Sequence, residues 1–170
     1  HEKLDLALML ESDQQQGSIP VAMVLEVDVQ LTSIKKLSAT AISELGPYKI
    51  GKIVGGKYDK GLNNILPEDY FIPLNSYRQG LELLQKNRLD AIFGLAFSIN
   101  EAVEKYAIQP NQLHHQQLFK EEIWLYASAT FKAKPGLISD IQNNVQDMRS
   151  KGELKSIAQR SYIKSKNTFH

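Results

Sequence analysis

The sequence predicts an α/β protein: a mainly parallel sheet flanked by helices on both faces. Three observations predict it. Apolar runs of strand length alternate with helix-length amphipathic segments over residues 32–108, the order that builds βαβ units. Gly, Pro, Asn and Ser punctuate the boundaries between them. The 170-residue chain is 42% hydrophobic and 23% charged, enough for a core in one domain, or one domain and part of another.

The elements follow in order. "LDLALML" (4–10) is an apolar strand and "ESDQQQGS" (11–18) a polar loop. "IPVAMVLEVDVQL" (19–31) alternates Leu25, Val27, Val29 and Leu31, the period of a half-buried strand. Thr32 or Ser33 is placed to cap a helix over "SIKKLSATAISEL", with Ile34, Leu37, Ala41 and Leu45 on one face and Gly46-Pro47 as its stop. "YKIGKIVGG" (48–56) is a strand, "KYDKGLNNIL" a short helix ended by Pro67, and "YFIPL" (70–74) a strand. Asn75 or Ser76 caps "SYRQGLELLQKN", where Tyr77, Leu81 and Leu84 share a face. "LDAIFGLAF" (89–97) is a buried strand, "INEAVEKYAI" a helix closed by Pro110, and "HHQQLFKEEIWLYASATF" one or two strands. Ile138, Ile141, Val145 and Met148 form the stripe of a first closing helix. Gly152 breaks it, and Leu154, Ile157 and Ala158 mark a second.

Several functions are disfavoured by composition. A net charge of +1 gives no basic face for nucleic acid. Apolar runs reach only five or six residues, whereas a membrane-spanning helix needs roughly 20. The N-terminal residues lack the long apolar core of a signal peptide. With no cysteine, disulfides and Cys-based zinc sites are excluded. His114-His115 would diverge on a strand, so no metal is expected there, and no cofactor elsewhere. No Ser/His/Asp or Cys/His arrangement stands at a recognisable turn, so an enzyme is not expected.

One phrase recurs: Leu-Asp-apolar at Asp5 and again at Asp90. Its second copy lies in "GKIVGGKYDKGLNNI…NSYRQGLELLQKNRLDAIFG". That stretch resembles the second lobe of bacterial family-three extracellular solute-binding proteins, which have the type II periplasmic-binding-protein fold. The tail "ISDIQNNVQDMRSKGELKSIAQRSYI" is similar to that family's closing pair of helices. The resemblance covers roughly residues 20–165 and rests on the order and spacing of elements rather than on one motif. It implies two α/β lobes around a ligand, with Asp5 in the first lobe's copy of the phrase and Asp90 in the second's. Residues 1–30 would be a remnant of the first lobe and a crossover strand, 31–130 the second lobe, and 131–170 the C-terminal helices. The N-terminal part of the first lobe would be missing, either because the chain is a fragment or because the fold is naturally reduced. A strand at 4–10 without its usual neighbour can pair with another chain, giving a homodimer.

Ligands in open α/β sheets sit beyond the carboxyl ends of strands. The first such place is "GGKY": Gly55 and Gly56 allow close backbone approach, the following helix start favours an anion, and Lys57 and Tyr58 complete the turn. The second is Leu95, with Ala96 and Phe97 beside it. The resemblance implies an Asp at position 95 in amino-acid binders, holding the ligand ammonium, and Leu95 cannot do so. The third is Glu11-Ser12, where the family's Thr-x-x-Arg carboxylate clamp does not appear. The expectation is a periplasmic or extracellular protein that closes its lobes on a small anionic or neutral solute, serving a transporter or receptor. The alternative is a sensor or protein-interaction module that works without ligand.

Overall fold

The computed structural model describes residues 5–11, 17–39, 41–56, 66–106 and 112–158. The chain divides into two compact units, residues 27–120 and residues 1–26 with 121–170. Strands β2 (Ile19–Ser33) and β6 (His114–Ala127) each contribute residues to both.

In the larger unit the strand order is β6-β2-β5-β3-β4. Strand β5 (Ala91–Leu95) runs antiparallel to β2, with Val29 opposite Leu95 and Thr32 opposite Ile92. It runs parallel to β3 (Ile50–Ile53), which is itself parallel to β4 (Ile72–Leu74). The parallel order expected from βαβ units is therefore β5-β3-β4.

All five β5 residues are buried, as a continuous apolar run covered on both faces requires. Alternation sends Ile92 to one face. There it joins Leu74, Leu81, Leu84, Leu89, Ile99 and Val103 in one core, supplied largely by α1 (Tyr77–Gln85) and α2 (Ala96–Lys105). Phe93 points to the opposite face, stacked on Phe71 at 5.5 Å and 6.3 Å from Phe119. Ser76 caps α1 as expected, its side chain accepting the Gln79 N–H at 3.2 Å. Tyr77 packs so close over Gly94 that any Cβ there would strike its ring. Helix α2 starts three residues before the expected Ile99, directly after β5, so Ala96 and Phe97 are helical. Asp90 locks the start of the strand pair: its carboxylate accepts the Lys49 N–H at 2.8 Å, and its own N–H donates to the Lys49 carbonyl at 2.8 Å.

The helix expected over residues 33–45 does not form. Strand β2 runs on to Ser33, and only the 3₁₀ turn Ile42–Glu44 is helical among the described residues of that segment. Its polar groups find partners elsewhere. The Ser38 N–H and hydroxyl bond the Tyr48 hydroxyl, and Tyr70 Oη donates to the Leu45 and Tyr48 carbonyls. Serines and threonines offer such alternatives to helix, and here they outweigh a helical spacing of apolar residues. The short helix expected at "KYDKGLNNIL" lies almost wholly outside the described residues.

In the smaller unit the order is β1-β6-β2. Strand β1 (Leu6–Leu10) pairs antiparallel with β6, Leu6 opposite Ala127 and Leu10 opposite Ile123. One continuous β6 replaces the alternative of two strands. Asp5 stands directly before β1 as Asp90 stands before β5, and its carbonyl accepts the Ser128 N–H at 3.0 Å. Helix α3 (Leu137–Ser150) sets Ile138, Ile141 and Val145 against Val21, Ala22 and Ala127. Gly152, at φ +71°, ends it, and residues 153–158 are helical again.

Leu84 and Ile92 share one core. Leu84→Ala should therefore lower unfolding stability by about 2–5 kcal/mol, read as a lower denaturant midpoint at unchanged slope. An unshifted midpoint would remove Leu84 from that core.

Candidate functional site

Because β3, β4 and β5 are parallel, their carboxyl ends meet at one end of the larger unit's sheet. Val54 N–H donates to the Leu74 carbonyl at 2.9 Å, carrying the β3–β4 register into the turn. Gly55 follows at φ +75°, a left-handed conformation that glycine accepts without strain, and a Cβ there would meet nothing within 4 Å. The Gly56 N–H is used inside the turn, donating to the Ile53 carbonyl at 3.1 Å. Leu95 closes β5 and is the N-cap of α2, 9% exposed and with no side-chain cap bond. Ala96 is half-buried and Phe97 is 47% exposed. Gly55, Gly56, Leu95, Ala96 and Phe97 thus belong to one sheet end. Glu11, half-buried, follows β1 in the smaller unit. Lys57, Tyr58 and Ser12 lie outside the described residues.

Beside Gly55 is a hollow of about 510 Å³, lined also by Lys52, Asp69, Phe71 and Pro73. Lys52 stands opposite Phe93 and Pro73 in the strand register. It is 3% exposed, with Nζ 5.4 Å from the Phe71 ring centroid, a cation–π arrangement. Sequence reasoning passed over it. The available signal was its spacing in "KIGKIV": period two puts this lysine on the face of Ile50, an apolar position. The hollow thus brings one buried ammonium, Lys52, and one exposed carboxylate, Asp69, to the open turn. Among the described residues no group of three or more His, Cys, Asp or Glu could hold a metal ion.

No protein-family model matches the chain, and no curated protein matches it. Solved structures do. One is the amino-acid ABC transporter substrate-binding protein AbpA from Streptococcus pneumoniae, bound to L-arginine: 16% identity, TM-score 0.64, covering 90% of this chain and 65% of that one. Another is the AvGluR1 ligand-binding domain with glutamate, at 14% identity and TM-score 0.63, covering 84% and 60%. A third is the arginine-, lysine-, histidine-binding protein ArtJ from Geobacillus stearothermophilus, at 12% identity and TM-score 0.59, covering 85% and 62%. The chain has the type II periplasmic-binding-protein fold. It spans less than two thirds of the length of each of these three structures.

Within this type II fold a second polar group lies at the other end of the larger unit's sheet. Gln30 Nε2 is 3.0 Å from Thr32 Oγ1, and both are 3.0 Å from His115 Nδ1. Gln30 and Thr32 are buried, Thr32 completely. With the Gln30 amide nitrogen turned to the ring, Nδ1 is the acceptor, and a neutral ring so bonded carries its proton on Nε2. Burial, and secondarily the neighbouring His114, lowers the His115 pKa. The unfolded chain then binds more protons than the folded one as pH falls below the unfolded value of about 6.5. This stabilisation is complete above that value and is lost as pH falls through the lower folded one. Denaturant unfolding at about pH 7.5 and about pH 5 should show a loss at acid pH that His115→Gln reduces. An equal loss in both would discount His115.

Proposed function

We propose that this protein is an extracytoplasmic solute-binding module that takes a small anionic or neutral solute at the carboxyl ends of β3 and β5 and responds by lobe closure. Leu95 carries this reading. It sits, buried and apolar, at the N-cap of α2, where the family resemblance puts the carboxylate that holds a ligand ammonium. A buried apolar group gives an ammonium no compensation for lost water. The arginine and glutamate bound by the AbpA and AvGluR1 structures are therefore poor guides to this ligand. Lys57, next to Gly56 in the sequence, favours negative charge. Those two proteins, one serving a transporter and one a receptor, support either as the membrane partner, and a periplasmic or extracellular location with it. Ligand binding would act by shifting an open–closed equilibrium.

A thermal-shift screen over carboxylates, neutral polar solutes and amino acids tests the reading, since a ligand raises stability by mass action. A carboxylate or neutral solute should raise the melting temperature. For an anion, Lys57→Ala should weaken the effect by roughly 0.2–1 kcal/mol, the contribution of one exposed ion pair, leaving the unliganded protein unchanged. Micromolar binding of lysine or arginine, unaffected by Lys57→Ala, would overturn the assigned polarity.

One observation favours a second reading, a protein-interaction module. Strand β1 is uncharged, has a strand neighbour on one side only among the described residues, and leaves Leu8 63% exposed. Such an edge invites strand addition. If a second copy adds there, Leu8→Lys should convert a dimer to a monomer by light scattering, and a monomeric parent would remove this reading.

A further inference from the structure

We propose that the hollow between the 33–39 loop and the start of β6 is a second binding site, specific for a small oxyanion. It is separate from the solute site by topology. Strand β2 is antiparallel to β5, with Val29 opposite Leu95 and Thr32 opposite Ile92. Ser33 and the loop after it therefore lie towards the amino ends of the parallel strands, away from Gly55 and Leu95.

The loop is the segment that fails to become a helix, and it is held in place at two points. Gln116 Nε2 donates to the Ala39 carbonyl at 3.1 Å, and Ser38 Oγ bonds the Tyr48 hydroxyl at 2.7 Å. Together with β6 it borders an open hollow of about 590 Å³, lined by Ser33, Lys36, His114, His115 and Gln116 with Leu37 and Ala39 as its apolar part. No carboxylate is among the lining residues. The polar groups presented are a hydroxyl, an ammonium, two imidazoles and an amide.

The imidazole of His115 is held at one nitrogen. The one lone pair of its Nδ1 is shared between the Gln30 amide and Thr32 hydroxyl contacts, each at 3.0 Å, which leaves the proton of a neutral ring to Nε2, a donor. Gln30 and Thr32 are buried and bonded to each other at 3.0 Å, and a turned ring would give up its contacts with both. A held N–H, the Lys36 ammonium and the Ser33 hydroxyl suit the oxygens of a carboxylate or phosphate, where charge-assisted bonds are strongest. A cation would meet only repulsion from Lys36.

The test is imidazole ¹⁵N–¹H correlation spectroscopy on the intact chain at about pH 8, above the unperturbed histidine pKa, with inorganic phosphate and, separately, acetate. The expected result is His115 in the Nε2–H form and a saturable shift of its Nε2 signal. Lys36→Ala should weaken that binding by about tenfold, the loss of one charge-assisted contact. Lys134→Ala, in the other unit, should not change it. Saturation by both anions defines a general oxyanion site, and saturation by phosphate alone a phosphate site. Lys57→Ala should leave this binding intact, so its failure and that of the solute-binding reading are told apart. An Nδ1–H ring, a shift that never saturates, or one equal in parent and Lys36→Ala would overturn the proposal.

Discussion

Strand β5 is the constraint on which the larger unit depends. Each of its five residues is buried, so each face needs its own apolar cover. Helices α1 and α2 supply one, with Leu81, Leu84, Ile99 and Val103 around Ile92. Phe71 and Phe119 supply part of the other around Phe93. Burial of this kind is non-directional and scales with area, so it would tolerate other packings. Direction comes from polar contacts at the strand's start and from the missing side chain at Gly94. Asp90 ties that start to Lys49 through two backbone groups, and the open space over Gly94 is where Tyr77 fits. The two ends of β5 then mark two different surfaces, Leu95 at one and the Thr32 partner Ile92 towards the other.

How much of this was legible depended on whether local and tertiary preferences agreed. They agree in α1, where Ser76, the Tyr77–Leu81–Leu84 face and the following strand point the same way, and the structure matches. They agree in β2, whose alternation is plain, although it runs two residues beyond Leu31. They conflict over residues 33–45. The apolar spacing there is helical, but Ser38, Tyr48 and Tyr70 offer bonds that only the folded chain brings together. No periodicity reports a partner about 25 residues away in sequence. Helix α2 shows a smaller conflict: Gly94-Leu95-Ala96-Phe97 continues an apolar run, and the turn from strand to helix falls inside it.

The same distinction separates what was read of the candidate site from what was missed. A glycine pair after a strand is a local signal, and Gly55 does take the left-handed conformation such turns use. Lys52 and His115 carry no local signal strong enough to single them out. Lys52 matters because Phe71 lies near it. His115 matters because Gln30 and Thr32, more than 80 residues earlier, meet its ring. A histidine on an exposed strand end and a lysine in a strand are ordinary until their neighbours are known.

The comparison with AbpA separates fold from ligand. A TM-score of 0.64 at 16% identity means that the arrangement of elements is shared while most side chains are not. Cores accept wide apolar substitution when volume and pattern are kept, so the type II fold constrains residues such as Ile92 and Leu84 only as a class. Residues at the carboxyl ends of strands are under a different constraint. Position 95 must end a strand and begin a helix, and Leu95 satisfies that by extended backbone geometry, without a side-chain cap. A carboxylate there would cap α2 better, so helix stability does not explain the leucine. Packing does: the side chain is 9% exposed, and a charge at that burial would need a partner of opposite sign. In an amino-acid site the ligand ammonium is that partner. Where no such partner comes, an apolar residue is the one that leaves no buried charge unmatched, so Leu95 satisfies the packing of the fold and accords with the anionic or neutral ligand proposed.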